Sequence, residues 1–420
     1  MKHNRVSMLV VGACVVVFAL GLAQTGCAAT EKQVVNMKMQ TMEKGENVLG
    51  YGNCQWLYPS DKPREKLRRE PSYGSKAPIY YAAIYGDSAD STFTLVLDES
   101  RGTSTGYDCL YVDENNDNCL DEKEKIFPVG VGTPANTPPP RPLRISVTSG
   151  GRAFPYCFNF TAFVYSDEKN PVKKIHANLR DSSYFVGTAV FDEKPMTIAI
   201  ADLNSNGLFS DPEQGIFRGD RFFVDLDGDG KFTNSRPSQE EGFPYGDYTF
   251  IKGKWYAVKS SPDGQTVRIA PASPPMGAVE APEWIAYAVL RSKSQTQRLE
   301  FSGKQSAAIA GAYRLCELGI AATDSQGKKW GTTGSFGGKG REMVIPKGGF
   351  AQIAAGPPMR VEIQTTLLQD KGTIGFDLAI TGSAGENYRC PASDRGGPRA
   401  EFEIRNKNGR VVLSKMFQYG

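Results

Sequence analysis

The sequence predicts an all-β protein, mainly antiparallel, with two β-rich modules that carry acidic loops, followed by a C-terminal β-sandwich. Three observations lead there. Apolar and aromatic residues come in short runs bounded by Gly, Pro, Asp and Asn. A helical period sustained over about ten residues is scarce, the best stretch being Lys304–Leu315. The 45 Gly and 26 Pro among 420 residues supply turns throughout.

In chain order, Lys2, His3 and Arg5 precede an apolar run from Met8 to Ala23, the charged-then-apolar order of an export signal and short for a membrane-spanning helix. Gln24-Thr25-Gly26-Cys27 ends the run in a lipobox-like way, so residues 1–26 are expected to leave and Cys27 to carry lipid. Gln24 departs from the aliphatic residue usual there; cleavage near Ala28 or Ala29 would give a periplasmic or secreted product instead. No second long apolar run follows. Residues 27–45 are polar and read as a tether, 46–140 as the first β-rich module, 141–278 as the second and 279–420 as the sandwich.

Strands are expected at Ile79–Ala83, Phe93–Leu97, Leu110–Val112, Phe158–Tyr165, Tyr184–Val190, Thr197–Ala201, Phe222–Val224 and Lys254–Val258. The proline-dense stretches Thr133–Pro142 and Ala270–Gly277 lack ladder donors and read as linkers. In the last third, strands are expected at Trp284–Leu290, Ala312–Ala321, Met359–Leu367 and Thr373–Ile380. A hairpin then turns Glu401–Arg405 into Arg410–Phe417 at Asn408-Gly409. Cys316, Trp330, Tyr388 and Cys390 there resemble the immunoglobulin pin and tyrosine corner. Pro391–Pro398, however, reads as a loop where that fold continues a strand.

Composition narrows the function classes. With 40% hydrophobic and 23% charged residues the chain is ordinary globular material. Its net charge of +3 falls to +1 once Lys2 and Arg5 leave, so no nucleic-acid partner is expected. Of eight cysteines, Cys54, Cys109, Cys119, Cys157, Cys316 and Cys390 remain in the mature domain, an even set that would allow three disulfides in an oxidising compartment. There is no C-x-x-C, and the mature chain has one histidine, His176, which excludes zinc-finger and thioredoxin chemistry.

The specific chemistry lies in three acidic loops. The first, from Asp113 to Glu124, places side-chain oxygens of Asp113, Asn115, Asp117, Asp121 and Glu124 at positions 1, 3, 5, 9 and 12, with the Cys119 carbonyl at position 7. The second offers Asp202, Asn204, Asn206, the Leu208 carbonyl, Ser210 and Glu213. The third offers Asp225, Asp227, Asp229, the Lys231 carbonyl and Thr233. Its twelfth position is Arg236, so Glu240, Glu241 or Asp220 is expected to close it. Calcium is a hard ion that takes six to eight oxygens at about 2.3–2.6 Å, and alternate residues of a tight loop aim successive oxygens at one point. Position 6 requires a left-handed backbone, suited to Gly207 and Gly230 and tolerable for Asn118. Position 8 is apolar in every copy, as Leu120, Phe209 and Phe232, which anchors each loop to a core.

These segments resemble the calcium loops of EF-hands, dockerins and thrombospondin type 3 repeats, a likeness confined to the loops. Strand-like sequence enters them where the EF-hand has a helix, so the resemblance implies calcium loops hung on strands in a secreted or lipoprotein bacterial protein. Loops two and three, close in sequence, are expected to share one cluster.

Other motifs carry less. Gly102-Thr-Ser104-Thr-Gly106 has the spacing of a nucleophile elbow, but no strand-then-helix context accompanies it, and the one later histidine, His176, reads as a surface residue. Gly331–Gly340 fits neither phosphate-binding fingerprint and reads as a flexible loop, and Lys62–Arg69 is a basic run. The expected role is non-catalytic: an envelope protein ordered by calcium, presenting a surface to an envelope or extracellular partner. The alternative is a carbohydrate-binding module or glycoside hydrolase, in which some of Trp56, Trp255, Trp284, Tyr245 and Tyr256 stack on sugar rings.

Overall fold

The computed structural model describes residues 32–42, 54–102, 106–127, 129, 142–167, 170–212, 219–232, 241–323, 325–368, 373–389, 392–393, 401–405 and 407–416. The leader with Cys27, the serine of the Gly102–Gly106 motif, Thr133–Pro139 and Cys390 lie outside them. The fold is all-β: the helical residues among those described are two single turns, Glu122–Glu124 and Gly337–Lys339.

Seventeen strands build the N-terminal body: β1 Gln33–Asn36, β2 Lys38–Thr41, β3 Cys54–Leu57, β4 Ile79–Ile84, β5 Thr92–Asp98, β6 Cys109–Val112, β7 Lys125–Ile126, β8 Leu143–Ser149, β9 Arg152–Asp167, β10 Asn170–Asp181, β11 Ser183–Phe191, β12 Lys194–Ala201, β13 Arg221–Val224, β14 Gly242–Pro244, β15 Tyr248–Ile251, β16 Lys254–Ser260 and β17 Thr266–Pro271. They form four antiparallel sheets, ordered β1-β17-β16-β15, β3-β10-β9-β8, β14-β13-β12-β11-β2 and β4-β5-β6-β7. One core joins them, running from Val35 through Tyr81, Phe93, Phe158, Phe185 and Phe222 to Ile269. The segments expected as two modules, 46–140 and 141–278, therefore contribute to the same interior. The expected tether is also structured: β1 pairs with β17 and β2 with β11, each as an edge strand.

A second core, from Val279 to Tyr388, marks the C-terminal body. Its sheets are Met276–Glu280 with Gln305–Ile309 and Phe350–Gln352, and a larger antiparallel sheet containing Ile285–Arg291, Gly311–Thr323 and Lys329–Ser335. Three expectations fail here. Lys304–Leu315 is two strands broken at Ala310, because Ala308, Tyr313 and Leu315 bury alternate residues rather than a helical face. Ala270–Gly277 supplies the end of β17 and the start of the next strand. Gly331–Ser335 is ladder, not loop, and Gly334 admits the Tyr388 ring where a Cβ would lie 2.5 Å from it. The bodies meet where Gln295 exchanges hydrogen bonds with the Tyr248 backbone, 2.9 and 3.0 Å.

Candidate metal centre

Each acidic loop leaves the end of a strand: the first follows β6, the second β12 and the third β13. All three fold alike. The position-1 carboxylate accepts the position-6 amide: Asn118 to Asp113 at 3.0 Å, Gly207 to Asp202 at 2.6 Å, Gly230 to Asp225 at 3.1 Å. The position-5 side chain accepts the position-7 amide at 2.8 Å in every copy, Cys119 to Asp117, Leu208 to Asn206 and Lys231 to Asp229. Position 6 is left-handed as expected, with φ of 59° at Asn118, 79° at Gly207 and 77° at Gly230. Position 4 is left-handed too, at Asn116, Ser205 and Gly228 (φ 56°, 56° and 80°), which the sequence did not signal. The position-8 anchors are buried: Leu120 and Phe209 fully, Phe232 to 6% exposure.

The loops differ in depth. Asp225, Asp227 and Asp229 hold carboxylate oxygens within 4.8 Å of one another at the surface, with only Asp225 buried. Glu241 sits behind this loop, its Oε1 accepting the amides of Leu226 (2.7 Å) and Asp227 (3.3 Å). In the first loop Asp113 is fully buried and Asn115 and Asp117 are exposed. Asp121 and Glu124 form a reciprocal cap around the short turn, and burial pushes the Glu124 carboxyl up to about 7, with Asp113 and Asp121 adding repulsion. Thr233, Glu213 and Glu240 lie outside the described residues.

The second loop is the deepest, and it gathers acids from elsewhere in the chain. β12 and β13 are antiparallel with Ala201 opposite Arg221, so Asp202, just after one strand, lies beside Asp220, just before the other. The β11–β12 register, Phe185 opposite Ile200, brings Asp202 level with Ser183, whose amide donates to Asp181 at 2.7 Å. Asp181, Asp202 and Asp220 are all buried, and no lysine or arginine pairs with them among the described residues. Burial pushes all three carboxyls up, Asp181 and Asp220 strongly, with the Asp202 charge adding to both. Asp202 reaches about 6 although Tyr156 donates to it at 2.8 Å and loop amides pull it down. Asp220 Oδ1 and Asn204 Oδ1 are buried without a hydrogen-bond partner. Asp211 bridges the group: it receives Asn204 Nδ2 at 3.4 Å and Asn206 Nδ2 at 2.5 Å, and its amide donates to Asp220 Oδ2 at 2.7 Å. Isolated buried charges cost several kcal/mol each; among the described residues, though, only Asp225, Asp227 and Asp229 bring three acidic ligand oxygens within 4.8 Å of one another.

That register corrects two expectations. Asp220 serves the second loop, not the third. Loops two and three do not share a cluster: they leave opposite ends of the β12–β13 pair, the Asp225 amide bonding Thr197 O at 2.9 Å, about 17 Å along the strand from Asp220. Asp181, Asp211 and Tyr156 escaped the sequence reading, because the two acids lie outside the 1-3-5 spacing and Tyr156 is not an acid.

Gly207 and Gly230 provide a test of the loop geometry. Gly207→Ala meets both a left-handed φ and crowding, its Cβ falling 3.0 Å from Val147 Cγ1 and 3.1 Å from Gly86 N, whereas Gly230→Ala meets open space. Gly230→Ala is expected to cost about 1–2 kcal/mol and Gly207→Ala about 1–3 kcal/mol more, read as denaturant midpoints. Equal costs would refute the placement of the second loop against β8.

Elsewhere, Cys54, Cys109, Cys119 and Cys157 are thiols without disulfide partners. Of the five aromatics considered for sugar stacking, Tyr245 and Tyr256 are buried, Trp255 and Trp284 half-buried, and Trp56 is exposed. Comparison with protein families, with curated proteins and with solved structures yields no match for this chain.

Proposed function

We propose that this is an exported, lipid-anchored calcium-binding protein of the cell envelope, with a structural or interaction role in which calcium braces the strand ends of its N-terminal body. The observation that carries this reading is one hydrogen-bonding pattern repeated in three loops of different sequence, each with oxygen ligands at alternate positions. The charged-then-apolar leader ending at Cys27 supports export and lipidation. Extracellular sites bind calcium at about 0.1–1 mM, and a site of about 0.1 mM in about 1 mM calcium gains roughly 1.4 kcal/mol. Three such sites add about 4 kcal/mol, large beside a typical stability of about 5–15 kcal/mol, so the loops act as braces more than as a switch.

Calorimetric titration of the mature protein with calcium tests this. Saturable binding of about three ions is expected, tightest at the buried second loop, and Asp225→Asn should remove one site while leaving the others. Absence of saturable binding at millimolar calcium would reduce the loops to Asx-rich turns and end the proposal.

A further inference from the structure

The groove beside β3 carries a binding chemistry of its own. β3 and the segment after it run antiparallel to β4 but are tied to it only near the ends. Gln55 exchanges hydrogen bonds with the Ile84 backbone, 2.9 and 3.1 Å, and Ser60 and Tyr80 exchange backbone bonds of 3.0 Å. Between these ties a groove of about 570 Å³ stays open, lined by Trp56, Tyr58, Lys62, Arg64 and Tyr80 among others. Trp56 is 55% and Tyr58 71% exposed, yet both rings are held from behind. Trp56 stands edge-on to Phe163 at 5.4 Å and Tyr58 edge-on to His176 at 5.6 Å. Two aromatic faces fixed before a ligand arrives lose little conformational freedom on binding.

Among its lining side chains the groove is cationic, although Asp61 and Glu65 alternate with the basic residues and Glu70 accepts the Tyr80 hydroxyl at 2.7 Å. Lys62 and Arg64 are exposed, neither has an ion-pair partner among the described residues, and no carboxylate lines the groove. Lys66 and Arg68 follow in the same basic run. On a chain whose overall charge is nearly balanced, this is a local field and not a general one.

We infer that this groove binds an anionic saccharide. The apolar faces of the pyranose rings stack on Trp56 and Tyr58, and their carboxylate or sulfate groups pair with Lys62 and Arg64. Ring stacking and charge pairing together select such a ligand: a neutral glycan forfeits the cations, and an acidic peptide lacks a stack of saturated rings. The assignment names the partner surface of the proposed envelope role and uses no calcium ligand, so its outcome is independent of the calcium titration.

The test is titration of the mature protein, without added calcium, with four probes. An oligogalacturonate tetramer carries carboxylates, a heparin-derived tetrasaccharide carries sulfates, cellotetraose is neutral, and polyglutamate is a polyanion without sugar. Binding of either anionic saccharide, with quenching of tryptophan fluorescence and at least tenfold preference over cellotetraose and polyglutamate, is expected; which one binds identifies the anion. Trp56→Ala should weaken that binding at least tenfold, and Lys62→Gln with Arg64→Gln should weaken it and flatten its salt dependence. Phe250→Ala, an exposed ring outside the groove, should leave it unchanged. Unaltered melting of Trp56→Ala establishes that the fold persists. Failure of both anionic saccharides to bind, equal binding of polyglutamate, or wild-type affinity in Trp56→Ala overturns the inference.

Discussion

Chelated protein is expected to become more stable as the pH falls from 7 to about 5, while calcium-loaded protein becomes less so. Without a cation Asp181, Asp202 and Asp220 are all buried around the second loop, and burial raises all three carboxyls, Asp202 to about 6. In the unfolded chain each titrates near 3.9. Between those values the folded state holds more protons than the unfolded one, so its stability decreases with rising pH. The contribution is fully present below about pH 4 and is lost as pH rises through the folded values. For Asp202 alone that amounts to about 2–3 kcal/mol. Glu124, raised to about 7 in the first loop, acts in the same direction, though its partial exposure weakens the effect. Calcium reverses the sign because it takes the place of the protons, and binding near pH 6 should release them. Melting curves at pH 7, 6 and 5 in calcium and in chelator read the crossing. Calorimetry in buffers of different ionisation enthalpy reads the protons. A chelated protein that loses stability steadily over that range would show that these carboxylates do not face one another. Asp220→Asn sharpens the result: it should lower the gain from calcium.

The loops were legible because their geometry is written in local spacing. Alternate oxygens, a left-handed position 6 and an apolar position 8 are all properties of one short segment, and each reappears in the structure. The central strands were legible for a similar reason: runs such as Phe93–Leu97 are buried along their whole length and read as continuous apolar sequence. Edge strands were not. In β1 only Val35 turns inward while Val34 is 59% exposed, so a short strand at a sheet margin looks like polar tether. Nor could spacing reveal the acids that complete the second loop. Asp220 reaches Asp202 through the β12–β13 register, and Asp181 through the junction of β10 and β11. The same antiparallel register separates loops two and three, although they are neighbours in sequence.

Phe209→Ala is expected to be the most damaging single substitution in the loops, at about 3–5 kcal/mol. Phe209 is fully buried, with its ring 5.0 Å from Phe185 and 6.2 Å from both Phe154 and Tyr156. It thereby ties the second loop to strands β9 and β11 at once. Its amide donates to Pro262 O at 2.9 Å and its carbonyl accepts the Ser260 hydroxyl, which fixes the backbone just after Leu208. Removing the ring opens a cavity in the main core that these close-packed aromatics cannot fill without leaving their rotamers. Tyr156, which holds Asp202, packs on that ring, so calcium affinity should fall together with stability. Phe232 occupies the same loop position but touches a small satellite cluster around Phe223, and Phe232→Ala should cost no more than the lower end of that range. Denaturant unfolding of the two variants, each with and without calcium, measures the difference. Equal losses would mean that the second loop is no deeper than the third, and the pocket of buried acids would lose the packing that keeps it dry.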